Sequence, residues 1–600
     1  MKHIQVFQHC MSLKPTEKSS ILSFTFSLCI GVLGISSVAS AQTLPDAGSL
    51  LRQQEQLQQR FPQQLPEPDK SEADKPVIQD LPGVTVHIKA FRFSGLDGMI
   101  TEPELQLLLK DSVGQELDFA GLLYLADRVT EHLRNLGWIL ARAYLPRQDV
   151  TEGVIEIAIL KGRLEGSVTE GGGWTISLSD ESRINSDKLA AIAEAAAPSG
   201  SSARQQELER ALLLINDIPG ISAGSRLEPG SEAGTTRVLV DAIDEPLLTG
   251  NLWTDNHGNT STGEVLVNAV LNLNNPAGFG DQASLGLSAS EGIRLARLNY
   301  SAPLGHQGLR ASAGYTDLHY KVKKGNGVNV GLEGQSSIVN LGLSYPFVRS
   351  RAVNLLGSLD YQYKALKDDS IAGTLRNKRI DRLSIGLSGN RLDQWGNGGL
   401  NSFDLSVTAG DLDLSRVPTD LENDAATLST QGSYSKLNLE ASRLQRLSGN
   451  FTLLARVSAQ LSDGNLDSSE QFILGGPTGV RAYPIGEAQG DEGWLASAEL
   501  NYDWPGGTPL GALQLKAFAD TGGILVHKNS SRVSIANDTG NNRYQLSGAG
   551  LSVSLNKPSS YSVRLTWAHT LGNNPGRFNG KNADGKSDNN RFWLQAISWF

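Results

Sequence analysis

The feature that most constrains this chain is the loss of helical periodicity after residue 247, where a period of two takes over and runs to Phe600. In 451–461, Phe451, Leu453, Ala455, Val457, Ala459 and Leu461 fall on one side and Thr452, Arg456, Ser458 and Gln460 on the other, with Leu454 out of step. Ala496, Ala498, Leu500, Tyr502 and Trp504 separate in the same way from Ser497, Glu499, Asn501 and Asp503. Tyr561, Val563, Leu565 and Trp567 likewise separate from Ser562, Arg564, Thr566 and Ala568. Two-sided strands of this kind suit a soluble sandwich or a transmembrane barrel, and the connections decide between them. Short turns near 274–280, 304–308, 346–351, 392–398, 504–510 and 556–559 alternate with mostly much longer loops near 322–333, 410–433, 463–493, 522–541 and 571–590. About sixteen strands of about ten residues fit between them, the length a tilted membrane strand needs. The sequence ends inside the last one, at Trp599-Phe600, where pairing with the first strand leaves no open edge. The pattern predicts a mainly β fold whose largest part, 248–600, is an antiparallel transmembrane β-barrel.

Composition agrees. Charged residues are 19% of the chain, with 64 glycines, against about 25% charged in an average soluble protein. Apolar residues, at 39%, are too many for disorder and too evenly spread for a helical membrane bundle. The N-terminal segment carries Lys2, Lys14 and Lys18 against Glu17, then an apolar run from Ile21 to Val38 and Ala39-Ser40-Ala41. Basic, apolar and small-x-small in that order describe an export signal over 1–41. Leu28 before Cys29 is too bulky for lipoprotein processing. Both cysteines, Cys10 and Cys29, would leave with the signal, which excludes a disulfide scaffold, a cysteine-ligated metal and a cysteine nucleophile from the mature chain. Removing those three lysines and one glutamate from 53 basic and 63 acidic residues leaves a net charge of −12. That balance argues against a nucleic-acid partner.

Between signal and barrel the helical period is present. Residues 42–61 hold a Gln-rich helix with Asp46 as N-cap and Leu50, Leu51, Leu57 and Phe61 on roughly one side. The opposite face is Gln and Arg, suited to water rather than to a core. Residues 62–83, with Pro62, Pro66, Pro68, Pro76 and Pro82, read as an extended linker. A compact α+β unit over 84–165 follows the order β-α-α-β-β. Its strand is expected at 84–93, its first helix at the capping box Thr101-x-x-Glu104. Its second helix runs from Asp118 to Gly137 with Leu122, Leu125, Ala126, Val129, Leu133 and Leu136 on one face, and strands follow at 141–145 and 154–160. Residues 166–247 repeat the order: a poorly defined strand, helices at 186–196 and 202–216, and strands near 221–227 and 236–242. Two such units in tandem indicate a repeated module.

Several motifs are familiar. Ala143-Tyr144-Leu145-Pro146-x-Gln148 with Gly153-Val154-Ile155-Glu156-Ile157, and Leu212-Leu213-Leu214-Ile215-Asn216-Asp217-Ile218-Pro219-Gly220 with Pro229-Gly230 and Gly234, are similar to the two POTRA (polypeptide-transport-associated) modules of two-partner secretion transporters. Asp255-Asn256-x-Gly258 and Asn275-Pro276-x-Gly278-x-Gly280-Asp281 open the barrel in that family's style. Gly475-Gly476-Pro477-x-x-Val480-Arg481-Ala482-Tyr483, then Gly490-Asp491-x-Gly493, resembles the tip of the loop that folds back into the lumen in this superfamily. Phe518-x-Asp520-x-Gly522 resembles the matching wall motif. Ala482 departs from the family's usual glycine. Parity supports the pairing without the resemblance: Leu513, Leu515, Ala517 and Ala519 form the apolar side, so Gln514, Lys516, Phe518 and Asp520 face the lumen. An inward carboxylate needs a partner, and Arg481 is a fitting one.

The resemblance implies a barrel of about sixteen strands preceded by two periplasmic POTRA domains and an N-terminal plug helix. It implies an outer-membrane translocator in a Gram-negative cell that recognises an unfolded exoprotein, of adhesin, haemagglutinin or haemolysin type, and secretes it through the pore. Its other partners would be outer-membrane lipids and the barrel-assembly machinery, with Phe600 as assembly signal. Val480, Arg481, Tyr483, Phe518, Asp520 and Gly522 would form a loop–barrel lock, and Leu50, Leu57 and Phe61 would belong to the plug. A barrel-assembly insertase and, further off, a solute porin are the alternatives. No enzyme, cofactor or metal is expected. Gly220-Ile221-Ser222-Ala223-Gly224 matches G-x-S-x-G, but the order helix, breaker, strand is wrong for a nucleophile elbow. His87, His132, His257, His306, His319, His527 and His569 lack ligand spacing.

Overall fold

The computed structural model describes residues 45–58, 85–166, 172–179 and 181–600. The expected signal, the proline-rich linker and Phe61 lie outside these described residues.

In the first α+β unit, Val154–Leu160 is the central strand, with Ala90–Ser94 parallel on one side and Arg142–Tyr144 antiparallel on the other. The helices Glu102–Leu108 and Phe119–Asn135 cover one face. The Thr101 N–H donates to the Glu104 carboxylate at 3.0 Å, and the Asp118 carboxylate accepts from the Gly121 N–H at 2.8 Å, so each helix starts at the cap its sequence announces. Leu122, Leu125, Ala126, Val129 and Leu133 pack on Phe91, Phe93, Ile155, Ile157 and Ile159. Leu136 does not join them: it is the C-cap residue and is exposed. The expected strand 84–93 is divided. Val86–His87 pairs with Glu116–Leu117, whereas Ala90–Ser94 enters the main sheet. Ile88, fully buried, makes the step, its N–H donating to Gln115 O and its carbonyl accepting from the Gly114 N–H.

The second unit centres on Thr235–Asp244, flanked by Arg163–Leu164 and Trp174–Ser177 in parallel and Ile221–Pro229 antiparallel. Ser186–Ala196 and Gln205–Asn216 are its helices. The second begins three residues later than its apolar pattern suggests, because the Arg204 N–H is capped by the Glu207 carboxylate at 2.9 Å. Ser222 lies inside the strand Ile221–Pro229.

Sixteen strands close the barrel, each antiparallel to the next, and Asn590–Trp599 returns to pair with Leu248–Asp255. Outward Leu341, Ile385, Val407, Leu551 and Leu565 are exposed, as a hydrocarbon-facing band requires. The expectation of about ten residues per strand is corrected for five consecutive strands. Glu333–Arg349, Val353–Ser370, Gly373–Asp393, Gly399–Asp413 and Gly432–Arg446 run to 17, 18, 21, 15 and 15 residues. The second and third are joined by 371–372 alone. Chain that could have been loop there continues instead as paired hairpin, which satisfies its backbone groups. The expected loop 410–433 contracts to 414–431 and contains the helix Pro418–Ala426. Leu454, out of step in the sequence, faces inward and packs with Leu400 and Leu444, each of which is its neighbour or next neighbour across the sheet.

Candidate functional site

The segment 463–491 connects Phe451–Ser462 to Glu492–Asp503 and does not stay outside. It folds back on itself through the short pair Phe472–Ile473 and Gln489–Gly490, and its tip is closed by the Val480 N–H donating to Leu474 O at 2.8 Å. Gly476, at φ 113°, makes the turn. Val480, Ala482 and Tyr483 are buried against Leu474, Leu495, Phe518, Leu546 and Ala568, so the tip is held by apolar packing as well as by charge.

Arg481 sits at the centre of this contact. Its Nε donates to Asp520 Oδ2 at 2.8 Å and its Nη2 to Asp520 Oδ1 at 2.6 Å. Nη1 reaches Glu499 Oε1 at 2.6 Å, and the Arg481 backbone N–H adds a bond to Asp520 Oδ2 at 3.1 Å. The guanidinium lies 3.5 Å from the centroid of the Phe518 ring, a cation–π contact. The Ser497 hydroxyl donates to Asp520 Oδ1 at 2.6 Å, and the Trp593 indole N–H donates to the Arg481 carbonyl at 2.8 Å. Asp520 and Phe518 alternate with exposed Ala517 and Ala519 on the strand Ala512–Leu525 and both point inward. At Gly522 an added Cβ would collide with the Leu474 side chain and the Trp494 carbonyl, so the wall is glycine where the loop passes closest. The structure therefore brings Val480, Arg481, Tyr483, Phe518, Asp520 and Gly522 together. Ala482 explains its own departure: its methyl rests over Gly548, where a Cβ would lie 2.5 Å from it, and Ala482 does not have a positive φ.

A second set of contacts, which sequence parity did not single out, holds the near arm of the same loop. Glu470 is fully buried and is met by Lys364 at 2.8 Å, Lys436 at 2.7 Å and Arg382 at 2.9 Å. Asp467 is paired with Lys378 at 2.6 Å. Lys364, Lys378, Arg382 and Lys436 come from three wall strands, and a carboxylate in a loop of no evident period carries no sequence signal that would match it to them. Burial raises the Glu470 carboxyl, but Arg382, Lys364 and Lys436 more than reverse this and hold it well below the usual carboxylate range.

The helix Ala47–Leu57 lies in the lumen against this loop. Asp46 caps it, its carboxylate accepting from the Ser49 N–H at 2.7 Å and the Ser468 hydroxyl at 2.9 Å. It also pairs with Arg376 at 3.4 Å and Lys378 at 3.6 Å. Burial opposes ionisation of Asp46, and Lys378 and Arg376 overcome it, so its carboxyl is lowered. The Ala47 N–H donates to Asp368 Oδ1 at 2.8 Å, Arg52 Nε donates to Gln471 O at 3.0 Å, and Gln56 Nε2 to Ile473 O at 3.2 Å. A Cβ on Gly48 would lie 2.6 Å from the Ser468 hydroxyl oxygen, so helix and loop touch backbone to side chain. Leu50 and Leu51 are buried with Leu295, Leu318, Ile338 and Leu366 of the wall, whereas Leu57 is half-buried and outside that cluster. The Gln face is not turned to open water: Gln53, Gln54 and Gln56 are buried, and Asn259 donates to Gln53 Oε1 at 3.0 Å. Gln53 and Gln56 find hydrogen-bond partners here, in Asn259 and the Ile473 carbonyl, that an apolar core would lack.

Phe600 lies apart from these residues, at the barrel seam. Its N–H and carbonyl exchange bonds with Gly250, at 3.1 and 2.9 Å, and its ring lies over that glycine on the outer surface.

Residues 234–555 match the family described as haemolysin secretion/activation protein ShlB/FhaC/HecB, and residues 86–162 match the ShlB-type POTRA domain. The heme/hemopexin transporter protein HuxB of Haemophilus influenzae (strain 86-028NP) is 28% identical over 98% of this chain and 100% of its own. The outer membrane transporter CdiB of Escherichia coli is 24% identical over 80% of each. A solved structure of CdiB from Escherichia coli superposes with a TM-score of 0.64 at 21% identity, covering 92% of this chain and 95% of that one, and so shares the fold. The chain belongs to the haemolysin secretion/activation family of ShlB, FhaC and HecB and is an outer-membrane transporter of two-partner secretion.

Proposed function

We propose that this transporter exports one large exoprotein, of the haemolysin or haem-acquisition kind suggested by the names of its relatives, and that the inserted loop and helix hold its pore shut at rest. An unfolded substrate arriving in the periplasm has unpaired backbone groups, and the exposed strand edges of the two α+β units can pair with them by strand addition. The observation that carries the reading is the dual tethering of loop 463–491, at Arg481 by Asp520 and Glu499 and at Glu470 by Lys364, Arg382 and Lys436. The loop's own strand pair forms a sheet separate from the barrel, so a loop held to the wall by side-chain bonds, ion pairs and apolar packing can leave it without unfolding the barrel. Folding of the substrate outside then makes passage one-way, without nucleotide hydrolysis.

Deleting residues 84–247 tests the reading in cells that produce the exoprotein. Export into the medium should stop while the barrel still inserts and shows a heat-modifiable gel shift. Continued export would overturn recognition by these units, and unaltered solute flux would be all that a porin predicts.

A further inference from the structure

The second α+β unit rests on the periplasmic turns of the barrel without closing against them. Arg349 grips Asp217 through Nε at 2.9 Å and Nη2 at 2.7 Å. Arg210 donates to Gln307 O at 3.1 Å, and the Lys188 ammonium lies 5.0 Å from the centre of the Phe279 ring. Between these supports is a cleft of 840 Å³. One side is formed by Ile192, Leu214 and Ile218, the other by Pro346, Val348 and Leu356.

Leu356 shows where the cleft leads. On Val353–Ser370 it shares a side with Ser358, Asp360, Gln362 and Lys364, and Lys364 meets Glu470 inside the lumen. Leu356 is thus an apolar residue near the periplasmic end of a lumenal row whose next four members, Ser358, Asp360, Gln362 and Lys364, are polar. It is 39% exposed, so the surface is uncovered. The charged residues lining the cleft are Lys188, Arg310 and Arg349 against Asp217, an excess of cations.

We propose that this cleft is a polypeptide-binding subsite at the entrance of the export path, taking an extended segment in which bulky apolar side chains alternate with carboxylates. The inference rests on the export reading and specifies its substrate. Three features select that occupant. The cleft reaches the inner wall at Leu356, Ser388 and Ser402, so a chain moving from the second unit into the lumen can lie along it. An extended chain has a period of two, so one set of side chains meets Leu356, Pro346 and Ile218 while the other meets Lys188 and Arg310. The volume falls within the range of about 300–1,000 Å³ common for sites that take a few groups, and is too small for a folded partner.

The test uses the purified full-length mature transporter in detergent with His306→Cys, at the cleft rim, carrying an environment-sensitive fluorophore. The probes are three synthetic twelve-residue peptides, alternating valine–aspartate, serine–aspartate and valine–lysine. Saturable binding of the valine–aspartate peptide is expected, weakened at least tenfold for either other peptide and at least tenfold by Leu356→Asp. The milder pair Val348→Ser with Leu356→Ser should weaken it in the same direction, and a retained heat-modifiable gel shift shows that each barrel is folded. Equal affinity for all three peptides, no binding, or no effect of the rim substitutions would overturn the subsite. Exoprotein export by the unlabelled wild type is measured in parallel: export without peptide selectivity overturns the subsite alone, and absence of export overturns the reading beneath it.

Discussion

Arg481 and Asp520 are joined through two parallel N–H···O bonds, at 2.8 and 2.6 Å, across the gap between an inserted loop and the barrel wall. This fork-to-fork geometry is one that only arginine supplies. Asp520 is 2% exposed, and neither group is readily replaced by water.

Arg481→Ala and Asp520→Ala should each lower exoprotein export at least tenfold while leaving outer-membrane levels within about twofold. Removing one partner of a buried pair costs about 3–5 kcal/mol because the other charge is left behind. Arg481→Lys should behave nearly as badly as Arg481→Ala, since an ammonium cannot serve Asp520 and Glu499 together in this geometry. Export is read from the culture medium, and normal export by both alanine variants would sink the lock.

Glu470→Gln should loosen both loop and helix. Lys364 lies 2.8 Å from Glu470 and 3.9 Å from Glu55 of the helix, and Lys378 lies 2.6 Å from Asp467 and 3.6 Å from Asp46. The same wall lysines thus hold one carboxylate from each element. Neutralising Glu470 leaves buried cations undercompensated, and the expected outcome is faster proteolysis of the N-terminal segment together with more frequent channel opening. A proteolysis pattern identical to wild type would show that the shared lysines do not couple the two.

Deleting 46–61 should raise single-channel conductance in planar bilayers by several-fold, because the helix Ala47–Leu57 occupies the lumen. An unchanged conductance would refute a plugging role. Leu50→Asp should act in the same direction, since Leu50 is 1% exposed against the wall, whereas Leu57→Asp should do little.

Removing Phe600 should reduce the amount of assembled barrel in the outer membrane several-fold, measured by the heat-modifiable band. It deletes both hydrogen bonds to Gly250 and the ring that covers it, at one end of a seam paired from Asn251–Trp599 to Asp255–Gln595 and closed at the other end by Asn256 on Leu594 and Phe592. Wild-type levels would count against a role for the terminal aromatic in assembly.

Alternation is a local property, and it survives into the fold without help. The inward side of Asp520 and Phe518 was legible from Leu513, Leu515, Ala517 and Ala519, because successive residues of a strand must face opposite ways. Asp46, Thr101 and Asp118 were legible as caps because each side chain or its partner lies within one turn. Strand length was not legible for Gly373–Asp393 and its neighbours, since a hairpin can continue beyond the membrane wherever its partner does.

The amino-acid sequence by itself determined the period, the turns and the residues able to meet across the lumen, all of which depend on neighbours close in the chain. Tertiary structure alone decided that Glu470 rests among Lys364, Arg382 and Lys436, that Ala482 fits over Gly548, and that glutamines of the N-terminal helix are buried. Those contacts join segments far apart in the chain. A buried charge or amide is tolerated only once its distant partners have been brought to it, and no local pattern records where those partners will be.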